Sequence, residues 1–226
     1  MRVSVVIPAL DEEAAIGDVV REIPRDLVHE IVVVDNGSTD RTAAMAAAAG
    51  ARVVHEPSRG YGAACLTGAR TVADADVIVF LDGDRNEDPR ELPVVLGPVL
   101  AGHADLVIGS RARGRAEPGA LTPQQRVGNR IVTALLRLLY GLHLSDIGPF
   151  RAIRGSVLRD LGMEHRTYGW PVEMVVKAAR LRYRIVEVPV TCRVRRGRSK
   201  VAGTLRGSVL AGYHLLSTTL RYAWKR

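Results

Sequence analysis

VIVFLDGD, residues 77–84, is the stretch on which the reading of this chain turns. Five consecutive apolar residues, mostly β-branched, suit a strand buried on both faces, as in a parallel sheet. Asp82 and Asp84 follow at its end with only Gly83 between them. Two carboxylates placed so can approach one hard cation and the phosphates it binds, because Mg2+ and Mn2+ favour oxygen ligands. Asn86 offers a further carbonyl oxygen.

The same design recurs around it. Residues 3–7 form an apolar run stopped by Pro8, residues 31–34 run into Asp35-Asn36-Gly37, and a weaker run at 105–108 precedes Gly109-Ser110. Helical patterns lie between. Ile16, Val19, Val20 and Ile23 make a stripe after the acidic start Asp11-Glu12-Glu13, which suits a helix N-terminus. Ser38, Thr39 or Asp40 can cap an Ala-rich helix over 41–49 that Gly50 ends. Residues 62–73 read as a third helix. This alternation predicts a doubly wound α/β fold with a mostly parallel central sheet, and ligands in such sheets bind at the carboxyl ends of strands. Asp35, Asp82 and Asp84 should therefore gather at one edge.

The second half has another character. Thr122-Pro123 opens a helix over 123–142 with stripe Val127, Ile131, Leu135, Leu138 and Leu142. A polar-aromatic loop, 145–150, follows. Residues 171–182 read as a helix and 184–190 as a strand. A basic loop, 193–203, precedes a final helix with stripe Leu205, Val209, Tyr213, Leu216 and Leu220. Arg206, Arg221, Lys225 and Arg226 flank that stripe, so it can pack on the core or lie on a membrane surface.

The 226 residues suit one domain, 1–226. Its halves differ in charge. Residues 1–113 hold 11 Lys/Arg and 18 Asp/Glu, or −7, and residues 114–226 hold 21 and 6, or +15. An acidic half suits a metal, and a basic half attracts phosphates, anionic lipid or nucleic acid. Only 4% of residues are Phe, Trp or Tyr, too few for the base-stacking platforms of a nucleic-acid binder. Cys65 and Cys192 make no metal or redox spacing and suit a reducing compartment. The N-terminus lacks a signal-peptide pattern, and no stretch reaches the ~20 apolar residues of a membrane span. The six histidines are scattered, and Gly60-x-Gly62 reads as a turn before a helix rather than a phosphate loop.

The segments VSVVIPALDEE, VVVDNGSTDRT and VFLDGD, in that order, resemble the N-terminal half of family 2 glycosyltransferases, which have the GT-A fold. IGSR, LSDIGPFRAIR, TYGWPVEMVVKA, IVEVPV and GRSKVAGT are similar to the polyprenol-phosphate mannose or glucose synthase subgroup, in its compact form without transmembrane helices. The resemblance implies a nucleotide-sugar site of Pro8, Glu12, Val34 (by its backbone), Asp35, Asn36, Asp82 and Gly83. Arg196 and Lys200 of the basic loop would close over the donor diphosphate. It implies Mg2+ or Mn2+ at Asp82 and Asp84, with Asn86 where relatives often have Gln. Asn36 stands where relatives usually have a second Asp, and Leu10 where they often have an aromatic residue. Arg111 matches a Ser-Arg or Thr-Arg strand end and would clamp phosphate. Asp146 and Arg151 match an Asp-x-x-x-Phe-Arg pattern, Glu173 a Met-Glu-Met segment, and Arg126 an acceptor-side basic residue. Arg130 lies one turn beyond Arg126 on the same face.

The implied reaction is a single inverting displacement at the anomeric carbon, catalysed by Asp84, Arg111, Asp146 and Glu173 with Arg126, Arg130 and Arg151 at the acceptor. The implied acceptor is a polyprenyl phosphate, already largely dianionic at neutral pH because its second pKa is about 6. A saccharide or small-molecule hydroxyl is the rival acceptor and would need a carboxylate base. A non-catalytic sugar-nucleotide sensor remains a third reading. The expected setting is cytoplasmic, peripheral on an anionic membrane surface; oligomeric state stays open.

Overall fold

The computed structural model describes residues 1–197 together with Ser217, Thr218 and Tyr222. Lys200 and the expected final stripe lie outside the described residues. Seven strands form one sheet: β1 (Val3–Ala9), β2 (Glu30–Asp35), β3 (Arg52–His55), β4 (Val77–Phe80), β5 (Leu106–Ser110), β6 (Arg151–Arg154) and β7 (Ile185–Pro189). Their order is β3-β2-β1-β4-β6-β5-β7. All pairings are parallel except those of β6, which runs antiparallel between β4 and β5.

Among the elements of residues 1–197, helices cover the sheet: α1 (Ile16–Glu22), α2 (Thr42–Ala48), α3 (Tyr61–Thr71), α4 (Leu92–Leu100), α5 (Pro123–Tyr140), α6 (Gly155–Leu161) and α7 (Trp170–Arg180). The continuous apolar runs hide a period of two. Val5, Ile7, Val33, Val77 and Val79 pack with α1, α2 and α4. Val6, Val32, Val34, Ile78 and Phe80 pack on the other face with α3, α5 and α7. Burial on both faces is why these runs are almost wholly apolar, with the buried Ser4 of β1 as the exception.

Two expectations change. The acidic run Asp11-Glu12-Glu13 precedes α1 without capping it. It ties the loop after β2 instead: Thr39 N donates to Asp11 Oδ1 at 2.7 Å, Glu12 N to Thr42 Oγ1 at 2.7 Å and Arg41 N to Glu13 Oε2 at 3.1 Å. The stripe named for α5 turns outward. Val132 and Leu136 are the residues buried there, while Val127, Ile131 and Leu138 are exposed. α5 begins with a reciprocal Thr122–Gln125 capping box and stops at Gly141, whose φ of 68° favours glycine. Among the described residues, no helix is long and apolar enough to cross a membrane.

Candidate active site

The sheet reverses its winding between β1 and β4, so the crevice at their carboxyl ends is the switch point where ligands bind in such folds. A cavity of about 370 Å3 lies there. Pro8 at the end of β1 and Glu12 beyond it border the cavity, with Asn36 after β2 and Asp82, Gly83 and Asp84 after β4. Tyr61 of α3, Thr167, Tyr168 and Arg195 close it. None of these four was singled out in the sequence, although Thr167 and Tyr168 open the TYGWPVEMVVKA stretch and Arg195 belongs to the basic loop.

The two β4 carboxylates sit in unequal surroundings. Burial, and then the charge of Asp84, push the Asp82 carboxyl up to about 7. The Tyr61 hydroxyl donates to Asp82 Oδ1 at 3.0 Å. Burial raises the Tyr61 phenol well above its ordinary range, so it remains a donor. Arg195 reaches Glu12 Oε1 at 3.0 Å and Asp84 Oδ2 at 3.5 Å, seating a positive charge among the carboxylates. Crowded carboxylates around a cationic group fit a divalent ion. Among the described residues, no three His, Cys, Asp or Glu side chains are placed to hold one metal ion by themselves. Asp82 and Asp84 could therefore hold Mg2+ or Mn2+ only with oxygens from substrate phosphates and water, a common arrangement for Mg2+.

Several expected residues are occupied otherwise. Asn36 lines the cavity, but its amide donates to Glu56 O at 3.0 Å and Ser58 O at 2.9 Å, and its Oδ1 accepts from Gly60 N at 2.7 Å. It holds the 56–60 turn. Asp35 accepts from Ser38 N at 3.0 Å and faces His55 Nδ1 at 3.1 Å. The Val34 side chain is buried in the core, and the expectation for Val34 concerns its backbone alone. The Asn86 amide donates to Arg193 O at 2.6 Å, fixing the basic loop rather than lining the cavity. Arg196 turns out to Asp18 at 2.6 Å, so its neighbour Arg195 enters the site instead.

Two carried-over residues are corrected. Arg151 does not reach an acceptor site. Its strand faces the core, the side chain is 1% exposed, and its guanidinium donates to Gly148 O and to Pro171 O, the latter at 2.9 Å. Glu173 is fully buried and tied off. Burial alone would raise its carboxyl. Lys177, the Tyr222 hydroxyl and the amides of His165 and Glu164 instead hold it below the ordinary range. Those amides begin the segment that carries Thr167 and Tyr168 to the cavity. Gly62 lets the segment approach, since a Cβ there would strike His165 O, and Ala63 N donates to Arg166 O at 2.9 Å. Gly60-x-Gly62 is thus a seat for this wall.

A second cavity, about 340 Å3, opens between α5 and the 145–146 loop. Arg111, Arg126, Arg130 and Asp146 border it. The Arg111 fork is spent on Asp146, with Nε to Oδ2 at 2.8 Å and Nη2 to Oδ1 at 3.0 Å. Burial opposes both charges. Mutual attraction prevails, lowering the Asp146 carboxyl and raising the Arg111 guanidinium. Glu87, 3.8 Å from Arg111, is buried with neither oxygen hydrogen-bonded, and burial followed by the Asp82 charge raises its carboxyl well above its usual range. Arg126 and Arg130 are exposed and, among the described residues, have no ion-pair partner.

A doubly wound sheet with a carboxylate-lined crevice at its switch point defines an α/β ligand-binding class. The chain belongs to glycosyl transferase family 2, whose model matches residues 4–162. It is 40% identical over 211 residues to an uncharacterized glycosyltransferase of Mycobacterium tuberculosis (strain ATCC 25618 / H37Rv), covering 92% of this chain and 94% of that protein. It is 34% identical over 229 residues to the undecaprenyl-phosphate mannosyltransferase of Micrococcus luteus, covering 93% and 91%. The fold matches glucosyl-3-phosphoglycerate synthase from M. tuberculosis, crystallised with Mn2+, UDP and phosphoglyceric acid. The TM-score is 0.80 at 26% identity, covering all of this chain and 79% of that one. The architecture is GT-A, and the protein is a glycosyltransferase.

Proposed function

We propose that the protein moves a hexose from a UDP- or GDP-linked donor to a polyprenyl phosphate, with Mg2+ or Mn2+ at Asp82 and Asp84. The observation that carries the acceptor class is the second cavity, where Arg126 and Arg130 have no ion-pair partner among the described residues while the nearby carboxylates there are buried or paired. Two free guanidiniums suit a phosphate dianion. The relative that acts on undecaprenyl phosphate supports the lipid.

In this reading both halves of the chain form one catalytic unit. The donor lies in the first cavity, its diphosphate toward Asp84 and Arg195. Arg195 exchanges Glu12 and Asp84 for the diphosphate as the donor arrives. A bound cation supplies electrostatic stabilisation of the departing diphosphate. Arg126 and Arg130 hold the acceptor phosphate so that one oxygen faces the anomeric carbon opposite the leaving group. That oxygen bonds to the carbon as the carbon–oxygen bond to the diphosphate breaks, with inversion. The nucleophile is already anionic and needs no base. Arg111 and Asp146 shape this cavity as a locked pair.

A small phosphorylated acceptor is the second reading, because the matched synthase was crystallised with phosphoglyceric acid. Transfer of radiolabelled hexose from UDP- and GDP-sugars to short-chain polyprenyl phosphate, the matching polyprenol and phosphoglycerate separates the two. Label in the lipid phosphate alone supports the proposal. Label only in phosphoglycerate overturns its lipid element.

A further inference from the structure

α5 has two apolar faces, and the core takes one. Val132 and Leu136 are buried, while Val127, Ile131 and Leu138 are exposed on the opposite side, Leu138 at 78%. At helical spacing these three share one outward stripe, and Arg126, Arg130 and Arg137 run along one edge of it. The helix contains no Asp or Glu. Beside the arginine edge lies an open groove of about 900 Å3, reached by Arg113, Arg130, Arg137 and His143 and by the apolar Leu138 and Leu144. Its one carboxylate, Glu187, is already engaged by the amides of Ser145, at 2.9 Å, and Asp146, at 3.0 Å. The groove therefore presents unneutralised cations next to apolar surface. Single exposed apolar residues are ordinary, whereas a stripe along one helix with a basic margin matches an interfacial helix.

We infer that the outward face of α5 and the groove beside it seat the protein on an anionic phospholipid bilayer. Val127, Ile131 and Leu138 enter the boundary between headgroups and acyl chains. Arg137, Arg113 and His143 meet lipid phosphates in the groove. The charge complementarity selects an anionic surface over a zwitterionic one. The biological sense of this seat rests on the lipid-phosphate reading: Arg130 borders both the groove and the second cavity, so a bilayer held there presents phosphates at the acceptor cavity. This seat is distinct from the final segment that the sequence put forward.

Flotation of the full chain with phosphatidylglycerol–phosphatidylcholine vesicles, and with phosphatidylcholine alone, tests it. Wild type should float with the anionic vesicles and be released by about 0.5 M salt, which shortens the screening length to a few ångströms. Ile131→Asp with Leu138→Asp should lower the bound fraction about tenfold or more, and Arg137→Gln by about twofold to threefold. Donor affinity, read by calorimetry, should be unchanged and shows that each variant is folded. Anionic-vesicle binding that survives the double variant overturns the inference. So does a wild-type dimer in sedimentation that the double variant converts to monomer without any vesicle binding, since a second copy then covers the face. The two readings fail separately. Flotation through α5 without transfer to polyprenyl phosphate breaks the acceptor assignment, and transfer to soluble short-chain lipid phosphate without flotation breaks the seat.

Discussion

The donor edge and the α5 side treat charge in opposite ways. At the carboxyl ends of β1, β2 and β4, most polar groups are bound to one another: Asp82 to Tyr61, Arg195 to Glu12 and Asp84, Asn36 to the 56–60 turn. Along α5, Arg126 and Arg130 stand free among the described residues beside exposed apolar side chains. A buried, cross-tied site has its dipoles oriented before the ligand arrives, which suits stabilising charge on a leaving diphosphate. An open basic face fits a ligand that approaches from a surface.

The largest effect should come from the donor edge. Asp84→Ala removes one of two carboxylates available to the cation and leaves Arg195 to Glu12, and transfer should fall about 100- to 1,000-fold. Titrating donor with Mn2+ by calorimetry, and repeating with EDTA, checks that the loss follows metal-linked binding. A variant that transfers at the wild-type rate would erase the contrast.

Next comes stability. Glu173→Ala removes the buried carboxylate that Lys177 and the Tyr222 hydroxyl both engage, and removing one partner of a buried pair costs about 3–5 kcal/mol. Denaturant unfolding should show that loss. Glu173→Gln should recover only part of it, because its one carbonyl oxygen can replace Oε1, which accepts from Tyr222, or Oε2, which accepts from His165 N, but not both.

Asn36→Asp sharpens the contrast on the donor side. A carboxylate cannot donate, so it would face the carbonyls of Glu56 and Ser58 with no proton between them. The expected cost is about 1–3 kcal/mol, with weaker donor binding for all bases rather than a switch among them. A changed base preference with unchanged stability would return Asn36 to base recognition.

The smallest effect is in pH. Asp146 and Glu173 have lowered carboxyls, so the stability they contribute is present above the usual carboxylate range and is lost as pH falls through their lower folded values. Asp82 and Glu87 are raised, so their contribution is present at low pH and is lost as pH rises, for Asp82 through about 7. Melting of the metal-free chain should therefore peak in mildly acidic buffer and decline toward pH 8. A profile that keeps rising to pH 8 would contradict these assignments.

The donor edge was the more legible region because its signals are local. A continuous apolar run ending in Asp gives both the strand and the direction of its carboxylate, and β2 and β4 read that way, while Pro8 marks the end of the β1 run. β6 was missed because Arg151-Ala-Ile-Arg154 is four residues framed by charge, and its role depends on antiparallel insertion between distant strands. α4 was missed because Pro93 and Pro98 argue against a helix. Spacing could not tell that Arg195 rather than Arg196 turns inward, nor that the Tyr61 hydroxyl reaches Asp82. It also suggested the wrong inner face for α5, since both faces carry apolar residues at helical intervals.

The most direct test of the division between donor edge and acceptor face is Arg126→Ala, measured twice. Donor affinity with Mn2+ is read by calorimetry, and kcat/KM is read for labelled hexose transfer to short-chain polyprenyl phosphate. The account predicts unchanged donor affinity with kcat/KM reduced about 10- to 100-fold, the scale of losing one charge-assisted phosphate contact. Unaltered transfer to the lipid phosphate, or a loss of donor affinity that matches the loss of transfer, would contradict it.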